Sequence, residues 1–83
     1  MINDGDCVAI FHSIHRVMKA EKILKQHRLE ILLIPVPRQL AADCGLAIRF
    51  AEELRGVVET ALAEAQLKIA EVWQLQGEQF QRI

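Results

Sequence analysis

Cys44 is followed directly by Gly45 and stands six residues after Arg38, the last residue of Pro35-Val36-Pro37-Arg38. A thiol in a loop, with a cation nearby and a glycine to free the backbone, has the composition of a reactive cysteine. The thiolate is the nucleophile, and a positive, partly exposed setting draws the thiol pKa below its reference value of about 8.5. Cys7 is placed differently, at the head of the apolar run Cys7-Val8-Ala9-Ile10-Phe11, where a cysteine serves as a small core residue. Three influences are expected on Cys44. The amino end of a helix contributes unpaired N–H groups and a partial positive charge. Arg38 contributes a permanent cation, and Asp43 opposes both as a neighbouring carboxylate. On residue chemistry alone, an inert loop cysteine stays open as the ordinary alternative.

Other residues invite weaker readings. Ser13 can cap a helix and place that helix's amino end beside Cys44. The spacing His12-Ser13-Ile14-His15 resembles that of metal ligands, with Cys44 as a third donor. However, a strand position for His12 and a helical one for His15 need not converge, so satisfied or solvent-facing histidines are the ordinary reading. No metal and no cofactor are expected. His15 is also a candidate for proton transfer beside Cys44. Glu21 and Lys25 form an i,i+4 pair, and Glu52 and Glu53 complement a helix amino end. A glycine-rich phosphate loop, a nucleophile elbow, a CxxC pair and a paired-carboxylate motif are all missing from the sequence. Turnover chemistry of the chain's own is therefore not expected.

The elements that must position these residues come from a chain of 83 residues, enough for one domain. Apolar residues make up 52% and charged residues 25%, a profile that can bury a core. A net charge of -1 gives no electrostatic footprint for nucleic acid or an anionic membrane. No apolar stretch approaches the roughly 20 residues a bilayer crossing needs. The acidic start, Met1-Ile2-Asn3-Asp4-Gly5-Asp6, lacks the basic beginning of a signal peptide. A cytoplasmic location, where thiols stay reduced, is expected.

Cys7 to His12 reads as the first strand, after a turn at Asp4-Gly5-Asp6. Ser13 then caps a helix from about His15 to His27 with Val17, Ala20 and Leu24 on one face. Ile31 to Ile34 is a second strand, closed by Pro35 and Pro37. Leu46 to Phe50 is a third, with Leu46, Ile48 and Phe50 on one side and Ala47 and Arg49 on the other. A second helix is expected from Ala51 to about Gln66, burying Leu54, Val57, Val58, Ala61, Leu62 and Ala65. Ile69 to Leu75, with Trp73, forms a fourth strand. The core thus spans about 7–75, and 76–83 is a polar tail with Phe80 and Ile83 as anchors.

This order predicts an α+β, ferredoxin-like βαββαβ fold: a four-stranded antiparallel sheet with both helices on one face. The topology gathers Ser13, His15 and the Val36-to-Cys44 loop at one rim and sends Cys7 to the other. Five or six strand residues span roughly 17–20 Å, far beyond the roughly 7 Å that a disulfide allows between Cα atoms.

Phe11-His12-Ser13 leading to Ala20-Glu21-Lys22, then Ile34-Pro35-Val36-Pro37-Arg38, then Asp43-Cys44-Gly45-Leu46-Ala47-Ile48-Arg49-Phe50, resembles the small bacterial selenium/sulfur carrier-like proteins. The resemblance runs from about Cys7 to Trp73, and its sharpest element is the proline-arginine segment followed closely by Cys-Gly. It implies that Cys44 accepts a persulfide or selenide atom and passes it between donor and acceptor proteins. Gly45 would then admit a partner's active site, Arg38 would stabilise the anion, and Ser13 with the helix end would complete the pocket. A carrier also needs no second thiol within reach, since one would discharge the persulfide as a disulfide. The competing reading is a regulatory or assembly module that pairs with a second copy through its sheet face. Strands apolar on both sides need some cover there, either a copy or the Phe80–Ile83 tail.

Overall fold

The computed structural model describes residues 2–40 and 45–83, so Cys44, the pivot of the sequence reading, lies outside the described residues together with Asp43. The elements are β1 (Cys7–Ile10), α1 (Ile14–Gln26), β2 (Ile31–Pro35), β3 (Leu46–Phe50), a 3-10 turn (Glu52–Leu54), α2 (Arg55–Glu64), β4 (Glu71–Gln76) and β5 (Gln79–Arg82).

Local chemistry explains the boundaries. Ser13 is extended and its hydroxyl accepts the Arg16 N–H at 3.3 Å, which starts α1. Both helices end without glycine, on left-handed residues, Arg28 (φ 60) and Gln66 (φ 58). In each case the next N–H reaches back to a carbonyl of the last turn: Leu29 to Leu24 and Leu67 to Leu62, both at 3.1 Å or less. That pairing satisfies carbonyls the helix leaves open and turns the chain toward the next strand.

The sheet order is β2-β3-β1-β4-β5, antiparallel throughout. β1 and β2 run parallel with β3 between them, and β3 and β4 run parallel with β1 between them. Both crossovers carry a helix. This is the expected βαββαβ arrangement with one correction: the sheet has five strands rather than four. Residues 76–83 are not a polar tail. Gly77 takes a positive φ of 65° in a two-residue turn, and its N–H donates to Asp4 Oδ1 at 2.7 Å. Gln-Phe-Gln-Arg can then pair back onto β4, because alternation rather than apolarity is all that an edge strand requires.

Each sheet face has its own core. Val17, Ala20 and Leu24 of α1 and Val58, Ala61 and Leu62 of α2 pack with Cys7, Ala9, Ile48 and Phe50. Fully burying a side chain such as Leu24 or Phe50 stabilises by about 1.5–3 kcal/mol. Val57 is a further correction, since it is half exposed. One residue before Val58, it is turned about 100° away from the buried stripe. On the opposite face Val8, Ile10, Ile34 and Ala47 are covered by Leu40, with Ile2, Val36, Trp73 and Phe80 packed around them. The chain therefore supplies its own cover for this face, and Phe80 is the anchor expected of it. Ile83 stays exposed.

Candidate functional site

The ladder geometry sets which residues share a rim. Cys7 pairs with Phe50 and with Gln74, so it marks one rim. Pro35 pairs with Leu46 at the other, and there the Val36 N–H donates to the Gly45 carbonyl at 3.0 Å. The end of β1, the start of α1 and the start of β4 reach this second rim as well. β1 ends at Ile10 opposite Glu71, so His12, two residues on, lies at this rim. The rim thus brings together His12, Ser13, the segment from Val36 to Leu40, Gly45 and Glu71.

The segment after β2 is anchored at its far end. Pro35 closes an edge strand, where a missing N–H costs no ladder bond. The Leu40 N–H donates to the Pro37 carbonyl at 3.0 Å, and the Leu40 side chain is buried against Val8, Ile10 and Ala47. Between these fixed points Arg38 is exposed, and among the described residues it makes no ion pair. A Cβ added at Gly45 would meet nothing within 4 Å among the described residues, and its φ is not in the left-handed range. Neither packing by the described residues nor backbone conformation therefore calls for glycine there.

His12 is not on a strand as the sequence suggests. β1 stops at Ile10, and His12 adopts φ 57°, a left-handed conformation that lets the chain turn sharply into the Ser13 cap. Non-glycine residues held there are uncommon and gather at functional sites. The His12 ring nitrogen Nε2 lies 2.7 Å from Glu71 Oε2, and the Trp73 indole N–H donates to Glu71 Oε1 at 2.8 Å. These two hydrogen bonds, that of His12 first, hold the Glu71 carboxyl below the ordinary glutamate range. An ionised carboxylate only accepts, so His12 Nε2 carries the proton of the shared bond. Glu71 escaped the sequence reading because its partner is 59 positions away. No local pattern marks such a pair.

His15 goes elsewhere. It is exposed in the first turn of α1 and lines a shallow cleft with Arg16, Lys19, Gln66, Leu67 and Lys68. Among the described residues no group of three or more histidine, cysteine or acidic side chains could hold a metal ion.

Cys7, at the far rim, is a free thiol with no exposed surface. Burial pushes its pKa up, against the pull of Arg55. Such a thiol is protonated and shielded, the reverse of what nucleophilic sulfur requires.

No described helix is long and apolar enough to cross a membrane. Neither the curated proteins nor the solved structures contain a match to the chain. The model of one family does match, over residues 6–74, which takes in both rims, both helices and position 44. The chain belongs to the family described as "Putative Se/S carrier protein-like".

Proposed function

We propose that this protein carries activated sulfur or selenium on Cys44 and passes it from a donor protein to an acceptor protein, without turnover chemistry of its own. The observation that carries this reading is family membership across 6–74. Four features of the fold support it. Cys7 is sealed at the rim opposite Gly45, so it is a poor competitor for the carried atom. Gly45 is exposed and a Cβ there would meet none of the described residues, which suits close approach by a partner. Arg38 is exposed, with no ion pair among the described residues, on the segment leading toward Cys44, where it can meet an anion. Ser13 contributes by fixing the amino end of α1 at the same rim.

In this reading the ferredoxin-like βαββαβ core is a rigid platform and the β2–β3 connection is its working surface. The carrier works in the cytoplasm, where a thiol survives unoxidised. The alternative of an assembly module pairing through its sheet face draws less support, since Leu40, Trp73 and Phe80 already pack over that face.

The test is incubation with a cysteine desulfurase and cysteine, followed by intact mass and peptide mapping. Wild type gains one sulfur atom on the Cys44 peptide, and Cys44→Ser gains none. Equal gain in both proteins, or none in either, removes the carrier role. A parallel incubation with the desulfurase and selenocysteine in place of cysteine decides which chalcogen is accepted.

A further inference from the structure

We propose that the basic cleft between the start of α1 and the turn after α2 docks an acidic segment of a partner protein. The cleft is lined by His15, Arg16, Lys19, Gln66, Leu67 and Lys68, with no acidic side chain among these described residues. Arg16, Lys19 and Lys68 are exposed, and among the described residues none of the three makes an ion pair. Two cations on the helices outside the cleft are answered: Lys25 meets Glu21 and Arg55 meets Glu59, each at 3.2 Å. The helix starts differ in the same way. The 3-10 turn ahead of α2 begins with Glu52 and Glu53, whereas the first turn of α1 has no acid. The open N–H groups of α1 therefore add to the positive potential of the cleft. Arg38, exposed at the same rim, acts in the same sense.

Backbone bonds fix both walls. The Ala70 N–H donates to the Ile10 carbonyl at 3.0 Å, which holds the chain after α2 beside the end of β1. Gln66 is left-handed (φ 58), and the Leu67 N–H returns to the Leu62 carbonyl at 2.9 Å. That turn seats Leu67 in the core and leaves Gln66 and Lys68 exposed. Charges carried on a preformed surface lose less freedom on binding than charges on a loose loop.

The neighbouring surface selects the class of partner. Across Gln66, Leu67 and Lys68 the cleft continues into an apolar groove lined also by Leu62, Ile69 and Val72. Glu59 borders that groove, with its carboxylate bound by Arg55. A protein segment can set carboxylates over the cations and an apolar side chain in the groove. Single-stranded nucleic acid asks for aromatic side chains to stack on and for an excess of positive charge. Neither cleft nor groove has an aromatic lining residue, and the chain carries a net charge of -1. An anionic membrane asks for a cluster of roughly four to eight Lys and Arg, more than Arg16, Lys19 and Lys68 supply. The assignment deepens the carrier reading by naming how a donor or acceptor is recognised. It rests on that reading for the partner's role alone.

The test is fluorescence anisotropy of a capped, dye-labelled peptide, Glu-Glu-Glu-Glu-Leu-Leu, titrated with the full chain and mapped by NMR shift changes. Wild type binds the peptide, shifts move at residues 15–19 and 66–69, and added salt weakens the complex by screening. Lys19→Glu and Lys68→Glu each weaken binding about fivefold, the scale of one exposed pair lost and one repulsion gained. Arg28→Asp reverses a charge at the other end of α1, where aspartate tolerates the left-handed backbone. Outside the cleft, that reversal changes affinity by less than about twofold. Circular dichroism establishes that each variant is folded. No binding by wild type, shifts confined to other surfaces, or an equal loss in Arg28→Asp overturns the proposal. Tighter binding of an oligouridylate or of phosphatidylglycerol vesicles than of the peptide overturns it too. Sulfur loading from the desulfurase is measured separately. If wild type accepts no sulfur yet binds the peptide at the cleft, the carrier reading fails and the docking surface stands.

Discussion

The two rims of the sheet treat polar groups in opposite ways. At the Cys7 rim an ion pair and the thiol are turned inward. Asp6 is buried, and its Oδ2 accepts both the Asn3 N–H at 2.9 Å and Arg49 Nη1–H at 3.1 Å. The Gln74 amide donates to the Gly5 carbonyl at 3.0 Å, and Cys7 lies beneath with no exposed surface. At the Gly45 rim, Arg38 and Gly45 are exposed, and the His12–Glu71–Trp73 chain remains partly open to solvent. Both rims have a strained or charged turn, so residue type alone does not separate them. What separates them is how much water each group keeps. A cysteine in the first setting is structural, and only the second leaves room for chemistry.

That contrast can be attacked from the sealed side first. Phe50 is fully buried opposite Cys7, and Phe50→Ala should cost about 3–5 kcal/mol through lost burial and the cavity left behind. Urea denaturation would register this as a lower midpoint with an unchanged slope. A loss below about 1 kcal/mol would mean that this rim is not the tight end of the molecule.

Cys7→Ser is smaller and sharper. A hydroxyl in a site with no exposed surface should destabilise by about 1–3 kcal/mol, while sulfur loading on Cys44 stays at the wild-type level. Loading that disappears in a folded Cys7→Ser protein would reassign the carrying thiol. Alkali probes the same group. Because burial raises the Cys7 pKa, its contribution is intact below the ordinary thiol value of about 8.5. It is lost as pH rises toward the pKa of the buried thiol.

The smallest effect belongs to the open rim. The Glu71 carboxyl is held below its ordinary range, so its contribution is present above about pH 4.3 and is lost as pH falls through the lowered value. Glu71→Gln should therefore cost less than about 1 kcal/mol at neutral pH, the scale of a partly exposed pair. The difference from wild type should shrink toward zero in acid, measured by denaturation at several pH values. A difference that persists at pH 2 would point to packing rather than charge.

How much of this was legible varied with the range of the interaction. The apolar runs of β1, β2 and β3 and the capped first helix follow from composition and period, since a buried strand or helix face leaves a local signature. The 3-10 start of the second helix, the exposure of Val57 and the hairpin at Gly77 depended on finer geometry. The sequence marks Cys44, Gly45, Arg38 and Ser13 by type and spacing. The structure puts the last three at one rim, while Cys44 lies outside the described residues. It also moves His12 from strand to turn and sends His15 to a separate cleft.

The amino-acid sequence by itself determined the order of the two helices and the first four strands, the placement of Cys7 in an apolar run and the family resemblance. Each of these is written in contiguous residues and needs no knowledge of what packs on what. Only the tertiary structure decided that Glu71 and Trp73 orient His12, that Leu40 anchors the segment after β2, and that the chain's own residues cover the second sheet face. These contacts join positions far apart in the chain. They arise because burying two apolar sheet faces forces the strands into one register, and that register chooses which polar groups meet at the rim.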